Sequence, residues 1–244
     1  MKNTLTALGL LCALSTSALA QDIEPGFETF HKGLLTLDTH TDISPNVATD
    51  LIDPSMLTQN QVDLVKLEKG GLDAVFFIAF SRQQALSDEG LQKARKEALS
   101  RLFAIKRMVE QNPDRIAFAR TKAEVEQIVE SGKIAALLGV ENGFPVGSDP
   151  EWVKIFHDAG ARYMGITHFG HNQLGDSSNP NPDLGDEATR HGGLSDIGRQ
   201  MIAEMNHWGI IPDVSHAAMT TTIDMARLSK TPIMASHSGV RAVA

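Results

Sequence analysis

Short apolar runs alternate along the chain with segments of helical period, and the residues able to hold a metal gather where the apolar runs stop. The runs cover residues 34–37, 71–80, 133–140, 162–167, 210–214 and 232–235. The longer ones are apolar at nearly every position, which suits parallel strands covered on both faces. Between them, Leu91, Ala94, Ala98, Leu102, Ile105 and Met108 recur three or four apart, which predicts a helix over 88–111. Ser87 is placed to cap it, and Asn112-Pro113 to end it. Thr121 and Glu124 form a capping-box pattern for a second helix. Asp149-Pro150 opens a third that Gly160 closes, and Ser195 opens a fourth that Gly209 stops. Residues 218–228 read as a fifth. Strand and helix in alternation imply a parallel sheet with right-handed crossovers. No glycine fingerprint follows the first run, which weakens a dinucleotide-binding sheet. Active-site residues of (β/α)8 barrels sit at the C-terminal ends of strands. The expected fold class is therefore α/β, a TIM-like (β/α)8 barrel of the metal-dependent hydrolase type. About six of its eight units fit the runs present.

The formal net charge of −8 argues against a nucleic-acid partner, which would call for clustered Lys and Arg. Met1-Lys2-Asn3, the apolar stretch 5–14 and Ala18-Leu19-Ala20 have the order of a cleavable secretory signal. The stretch is short of the roughly 20 apolar residues that span a bilayer. The expectation is an exported protein, periplasmic or secreted, with a signal at 1–20 and a barrel domain at 21–244, and no transmembrane segment after signal removal. A homodimer is compatible with this reading. The only cysteine, Cys12, lies inside the signal, so a metal site in the domain must use imidazole and carboxylate ligands.

Such ligands are present. His40 and Asp42 are two apart on an extended segment and so point the same way. Glu141 directly follows an apolar run, where a carboxylate is costly unless paired or bound to a metal, and its two oxygens suit a bridge. His216 and His237 end two runs in the similar settings Val-Ser-His and Ala-Ser-His. Together these residues predict a binuclear site, with His40, Asp42 and Glu141 around one ion and Glu141, His216 and His237 around the other. Nitrogen and oxygen donors without sulfur favour two Zn²⁺, with Mn²⁺, Co²⁺ or Fe²⁺ as alternatives. Such a centre activates water against a carbonyl. His168, at the same rim, is read as a substrate-carbonyl contact rather than a ligand. Asp38 and Asp213 are read as supports for ligands. His171, Asn172 and Asp176 are candidates to line the pocket, and His31, His157 and His207 are expected at the surface.

Five stretches carry a resemblance to the membrane dipeptidase (renal dipeptidase) family, the zinc peptidases M19. They are LDTHTD at 37–42, LLGVENG at 137–143, YMGITHFGHNQLGD at 163–176, GGLSDIGRQMIAEMNHWGIIPDVSH at 192–216 and PIMASHSGVRAV at 232–243. The resemblance implies a dizinc barrel that hydrolyses dipeptides, often accepting a C-terminal D-residue. By motif it implies ligands His40, Asp42, Glu141, His216 and His237, with His168 on the substrate. Members of that family continue well beyond the His-Ser-Gly motif, into two further strands, a carboxylate-binding arginine and a catalytic aspartate. The expectation is therefore a truncated product or partial sequence. Another binuclear amide or lactone hydrolase, or an inactive metal-binding chain, are the competing readings.

Overall fold

The computed structural model describes residues 26–240 and 242. The signal reading of residues 1–20, Cys12 included, lies outside them. A short helix, α1 (Phe27–Lys32), belongs to an N-terminal unit ending at Leu34, and the rest of the described chain to a unit beginning at Leu35.

The second unit alternates strands and helices: β1 (Leu37–Thr41), α2 (Leu64–Gly70), β2 (Ala74–Phe80), α3 (Asp88–Gln111), β3 (Ile116–Phe118), α4 (Lys122–Glu130) and β4 (Ile134–Glu141). It continues with α5 (Glu151–Ala159), β5 (Ala161–Gly165), α6 (Asp196–Trp208), β6 (Ile211–Asp213) and α7 (Met219–Leu228). All pairings between these strands are parallel, in the order β1-β2-β4-β5-β6. β2 runs along the whole of β4, from Ala74↔Ala135 to Phe80↔Glu141. The opposite edge of β4 is shared, with β3 beside Ile134–Ala136 and β5 beside Leu138–Val140. This is the arrangement of an incomplete (β/α)8-type barrel.

Capping chemistry sets the helix starts as the sequence predicts. The side chains of Ser87, Thr121 and Ser195 accept hydrogen bonds from the backbone N–H groups of Gly90, Glu124 and Gly198, and Thr121–Glu124 closes a full capping box. Asp149 accepts from Glu151 N, so the third predicted helix begins one residue after its proline. β2 alternates between two apolar faces. Val75, Phe77 and Ala79 pack with Leu102, Ile105 and Met108 of α3, while Ala74, Phe76 and Ile78 pack with Tyr163 and against Val125, Ile128 and Val129 of α4. Burying each such Leu, Ile, Phe or Met stabilises the sheet by about 1.5–3 kcal/mol.

Several sequence expectations need correction. The first strand is Leu37–Thr41, so the run expected at 34–37 meets it only at Leu37, and α2 was not among the expected helices. Residues 232–235 do not form a strand. Only Met234 pairs, through an isolated parallel bridge to Asp213. Met234 N donates to Pro212 O and Val214 N to Met234 O, but the next ladder donor, Ser236 N, is taken by Asp213 Oδ1, and Pro232 has no N–H to extend the pairing the other way. Conversely, β3 was not foreseen. Ile116–Phe118 is three residues long, below the length at which alternation is readable, and exists through its register with β4.

Candidate metal centre

Glu141 ends β4 on the face that also carries Ala135 and Leu137, and its side chain is 7% exposed. A carboxylate in that setting needs compensation. Among the described residues its ion-pair partners are all histidines. His216 Nε2 lies 3.0 Å from Oε1, His237 Nε2 3.3 Å and His168 Nε2 3.7 Å from the same oxygen, and His40 Nε2 lies 3.5 Å from Oε2. The Nε2 atoms of His216 and His237 are 2.9 Å apart. The ring centroids of His40 and His237 are 3.7 Å apart.

These imidazoles come from distant points in sequence. His40 lies in β1, His168 follows β5, His216 follows β6, and His237 follows the Met234 bridge. Asp42 stands at the rim, 61% exposed, with its Oδ2 3.8 Å from His40 Nε2. The structure thus brings all six sequence-predicted residues to one pocket of about 450 Å³, lined also by Ile43, Phe80 and Arg101. Within it, the compact three-donor groups are His40–Glu141–His237 and Glu141–His168–His216, all donor atoms of each lying within 4.8 Å of one another. This grouping differs from the sequence-based partition, which joined Asp42 to His40 and His237 to His216. Both share Glu141 as the common member.

The electrostatics follow from crowding imidazoles around one buried acid. Burial opposes ionisation of Glu141, but His216, His237 and His40 outweigh it and hold its carboxyl far below the usual range. Burial also opposes charge on His40, yet the Asp42 and Glu141 carboxylates overcome it and raise His40 to about 9. At His168 burial wins over the attraction of Glu141, and the ring is pushed down to about 4. The donor set, imidazole nitrogens and carboxylate oxygens without a thiolate, fits a divalent transition metal. So does the Nε2–Nε2 contact, because two lone pairs at that distance repel unless a cation or proton lies between them.

The supporting contacts are specific. Asp38 Oδ1 accepts from His40 N at 2.8 Å, so it holds the backbone of that ligand rather than its ring. Asp213, 2% exposed, receives four hydrogen bonds from the backbone N–H and hydroxyl groups of Ser215 and Ser236. It therefore acts on the histidines through the serines that precede them. His171, Asn172 and Asp176 do not line the pocket, contrary to the sequence expectation. They are buried in the loop after β5, where Asp176 accepts from the N–H groups of Arg190, His191 and Gly192. His171 Nδ1 accepts from Ser177 N.

Sequence reasoning missed Ile43, Phe80 and Arg101, and of these Arg101 is the charged one. In a helix whose outer positions are mostly charged, nothing in the sequence sets it apart. Its guanidinium lies 5.1 Å from the centre of the Phe80 ring, and Nη1 donates to Phe80 O at 3.3 Å and pairs with Glu97 at 3.2 Å. Phe80 in turn meets His168 edge to face, with centroids 4.8 Å apart.

A parallel α/β sheet with a carboxylate-centred histidine cluster at its C-terminal strand ends is a barrel-type architecture whose donors suit a divalent metal. Residues 27–244 match the membrane dipeptidase family (peptidase family M19), and the chain belongs to it. It is 33% identical over 187 residues to dipeptidase aclJ of Aspergillus oryzae, covering 75% of this chain and 43% of that protein. It is 31% identical over 198 residues to dipeptidase tcpJ of Claviceps purpurea, covering 80% and 45%. The crystal structure of the probable dipeptidase PvdM from Pseudomonas aeruginosa superposes with a TM-score of 0.84 at 28% identity, over 88% of this chain and 55% of that one. The chain thus spans less than half the length of these curated relatives.

Proposed function

We propose that the chain carries the metal centre of a binuclear zinc-dependent dipeptidase. The observation that supports this reading most directly is Glu141, a buried carboxylate surrounded by four imidazole Nε2 atoms at 3.0–3.7 Å. His40, Asp42, Glu141, His216 and His237 would hold the ions, with Glu141 shared. Bound zinc supplies Lewis acidity and a nucleophile at neutral pH. His168, kept uncharged by burial and steadied by the ring of Phe80, is available to hydrogen-bond the substrate carbonyl. Arg101 offers the pocket a guanidinium whose contacts among the described residues, with Phe80 O and Glu97, run through Nη1. A free dipeptide carboxylate is the ligand that such a fork suits. Export remains part of the proposal. Among the described residues, no helix is long and apolar enough to cross a membrane.

The test is metal analysis and dipeptide hydrolysis on the full-length protein and two variants. His237→Ala is expected to lose one metal per chain, and His168→Ala to keep both while losing turnover. A wild-type protein that binds no divalent metal would defeat the reading. Equal metal loss in both variants would place His168 among the ligands.

A further inference from the structure

Two of the cluster's histidines turn their second ring nitrogen to a hydroxyl whose proton is already committed. His40 Nδ1 lies 2.9 Å from Tyr163 Oη, and Tyr163 Oη donates to the backbone carbonyl of Thr39 at 3.1 Å. A phenol has one proton, and a carbonyl can only accept. Both contacts are satisfied only when the His40 ring donates from Nδ1–H to the phenol oxygen. His237 repeats the logic with different chemistry. Its Nδ1 lies 2.8 Å from Ser236 Oγ, and Ser236 Oγ lies 2.5 Å from Asp213 Oδ2. Asp213 accepts, so the serine proton goes to it, and the serine lone pair is left for His237 Nδ1–H. The competing hydroxyl, Ser215 Oγ, sends its own proton to Asp213 Oδ1 at 3.0 Å and accepts from His237 N at 3.1 Å.

We infer that Tyr163 and Ser236 are positioning residues that lock His40 and His237 in the Nδ1–H form, so that each presents Nε2 as the free donor toward Glu141. The inference rests on the metal-site reading for its purpose, but the lock is a property of the protein alone. A ring that would otherwise sample two tautomers and a rotation about its χ2 angle is held in one. The order is imposed before a cation arrives, and outer hydrogen bonds of this kind raise ligand basicity as well as fixing orientation. Tyr163 is suited to the part. It is the chain's only tyrosine, it is fully buried, and its phenol is held protonated by burial and by the nearby Asp213 carboxylate.

Histidine ¹⁵N–¹H correlation spectra of the full-length protein, with and without zinc, test this. The metal-free spectra are taken near pH 10, above the value of about 9 for His40. The expected result is a protected Nδ1–H on both His40 and His237. Tyr163→Phe should abolish protection at His40 and Ser236→Ala at His237, each disturbing the other ring less, because Ser236 also interacts with the Tyr163 phenol. A merely structural role would not produce that ordering. Zinc affinity should fall about 10–100-fold in each variant, the usual effect of removing such a partner, and Ser236→Thr should restore it. An Nε2–H form at either ring, or zinc affinity unchanged in both variants, would overturn the inference. If the wild-type protein binds no zinc, the metal-site reading fails, while the metal-free spectra still decide the lock.

Discussion

Gly139 sits in the middle of β4 opposite Tyr163 of β5, and a single methyl group there should disturb both the sheet and the metal centre. A Cβ built on Gly139 would lie 2.4, 2.6 and 2.8 Å from Cζ, Cε1 and Cε2 of the Tyr163 ring. Carbon atoms pack at about 3.5–4.0 Å, so the ring would have to retreat by about 1 Å. It has little room, being fully buried with the Phe76 ring 5.0 Å away. Overpacking of this kind costs about 1–3 kcal/mol. Retreat also pulls the phenol from His40 and Thr39, and a buried polar group left unpaired costs about 1–3 kcal/mol more. Against this, replacing glycine by alanine restricts the unfolded chain and gains about 0.4–1 kcal/mol. The clash wins, and Gly139→Ala should destabilise the metal-free protein by about 3 kcal/mol in urea unfolding. A double-mutant cycle isolates the cause. In a Tyr163→Phe background the ring carbons remain, and the overpacking cost should persist. In a Tyr163→Leu background it should fall below about 1 kcal/mol. A wild-type cost below about 1 kcal/mol, or the same cost in all three backgrounds, would refute the packing argument.

Other outcomes follow from the charges. In the metal-free protein His40 titrates at about 9 against an ordinary 6.5, so its contribution to stability is complete below pH 6.5 and lost as the pH rises through 9. His168 titrates at about 4, so its contribution is complete above 6.5 and lost as the pH falls through 4. The urea midpoint of metal-free protein should therefore peak near pH 6.5, and a midpoint that rises from there to pH 9 would contradict the assignment. Under the proposed dipeptidase function, Arg101→Ala in the full-length protein should raise KM for a dipeptide about tenfold or more, since a hydrogen bond to a charged group is worth about 1.5–3 kcal/mol. It should leave kcat nearly unchanged, and a fall in kcat at constant KM would show that Arg101 does not capture the ground-state carboxylate.

The sequence carried the parts of this architecture that depend on local chemistry. Ser87, Thr121 and Ser195 are capping residues wherever they occur before a helical period, and they cap here. β2 and β4 are long enough for a continuous apolar run to be unmistakable. The convergence of His40, Glu141, His168, His216 and His237 was legible because strand ends in a parallel sheet share one rim, so separate weak motifs reinforce one another. What escaped depends on contacts between distant segments. β3 needs β4 beside it, and the run at 232–235 stops at a single bridge because Ser236 N turns to the Asp213 side chain. Arg101 enters the pocket because α3 packs on β2 in a register that brings it to Phe80. The different grouping of donors about Glu141 depends on side-chain directions that spacing along the chain does not specify.

The loop after β5 shows how a mistaken reading can still point at something real. His171, Asn172 and Asp176 looked like pocket residues because they are polar and follow a strand end. The structure gives several members of this loop another task. Two site-bearing turns adopt the left-handed region without glycine: Asn142, directly after Glu141, at φ 71°, and His216 at φ 64°. For residues with a Cβ that conformation costs about 1–2 kcal/mol, and it persists only where surrounding contacts over-determine it. Here the loop supplies those at His216 and one of those at Asn142. The carbonyl of His216 accepts from Ser178 N at 2.8 Å, Thr167 Oγ1 at 3.1 Å and Ser177 Oγ at 3.3 Å. The Asn142 amide accepts from Phe144 N and Asn172 Nδ2 and donates to Ser81 O and Gln83 Oε1. Asn172 also donates to Ile166 O at 2.8 Å, which ties its own position to the end of β5. Each strained turn is thus held by several hydrogen bonds, each worth about 0.5–1.5 kcal/mol, enough to offset the backbone cost. Rigid placement is what a multi-ligand centre requires, because donors misplaced by a fraction of an ångström lose much of their affinity. The polar loop serves the site by fixing the backbone from which Glu141 and His216 project, rather than by facing the substrate.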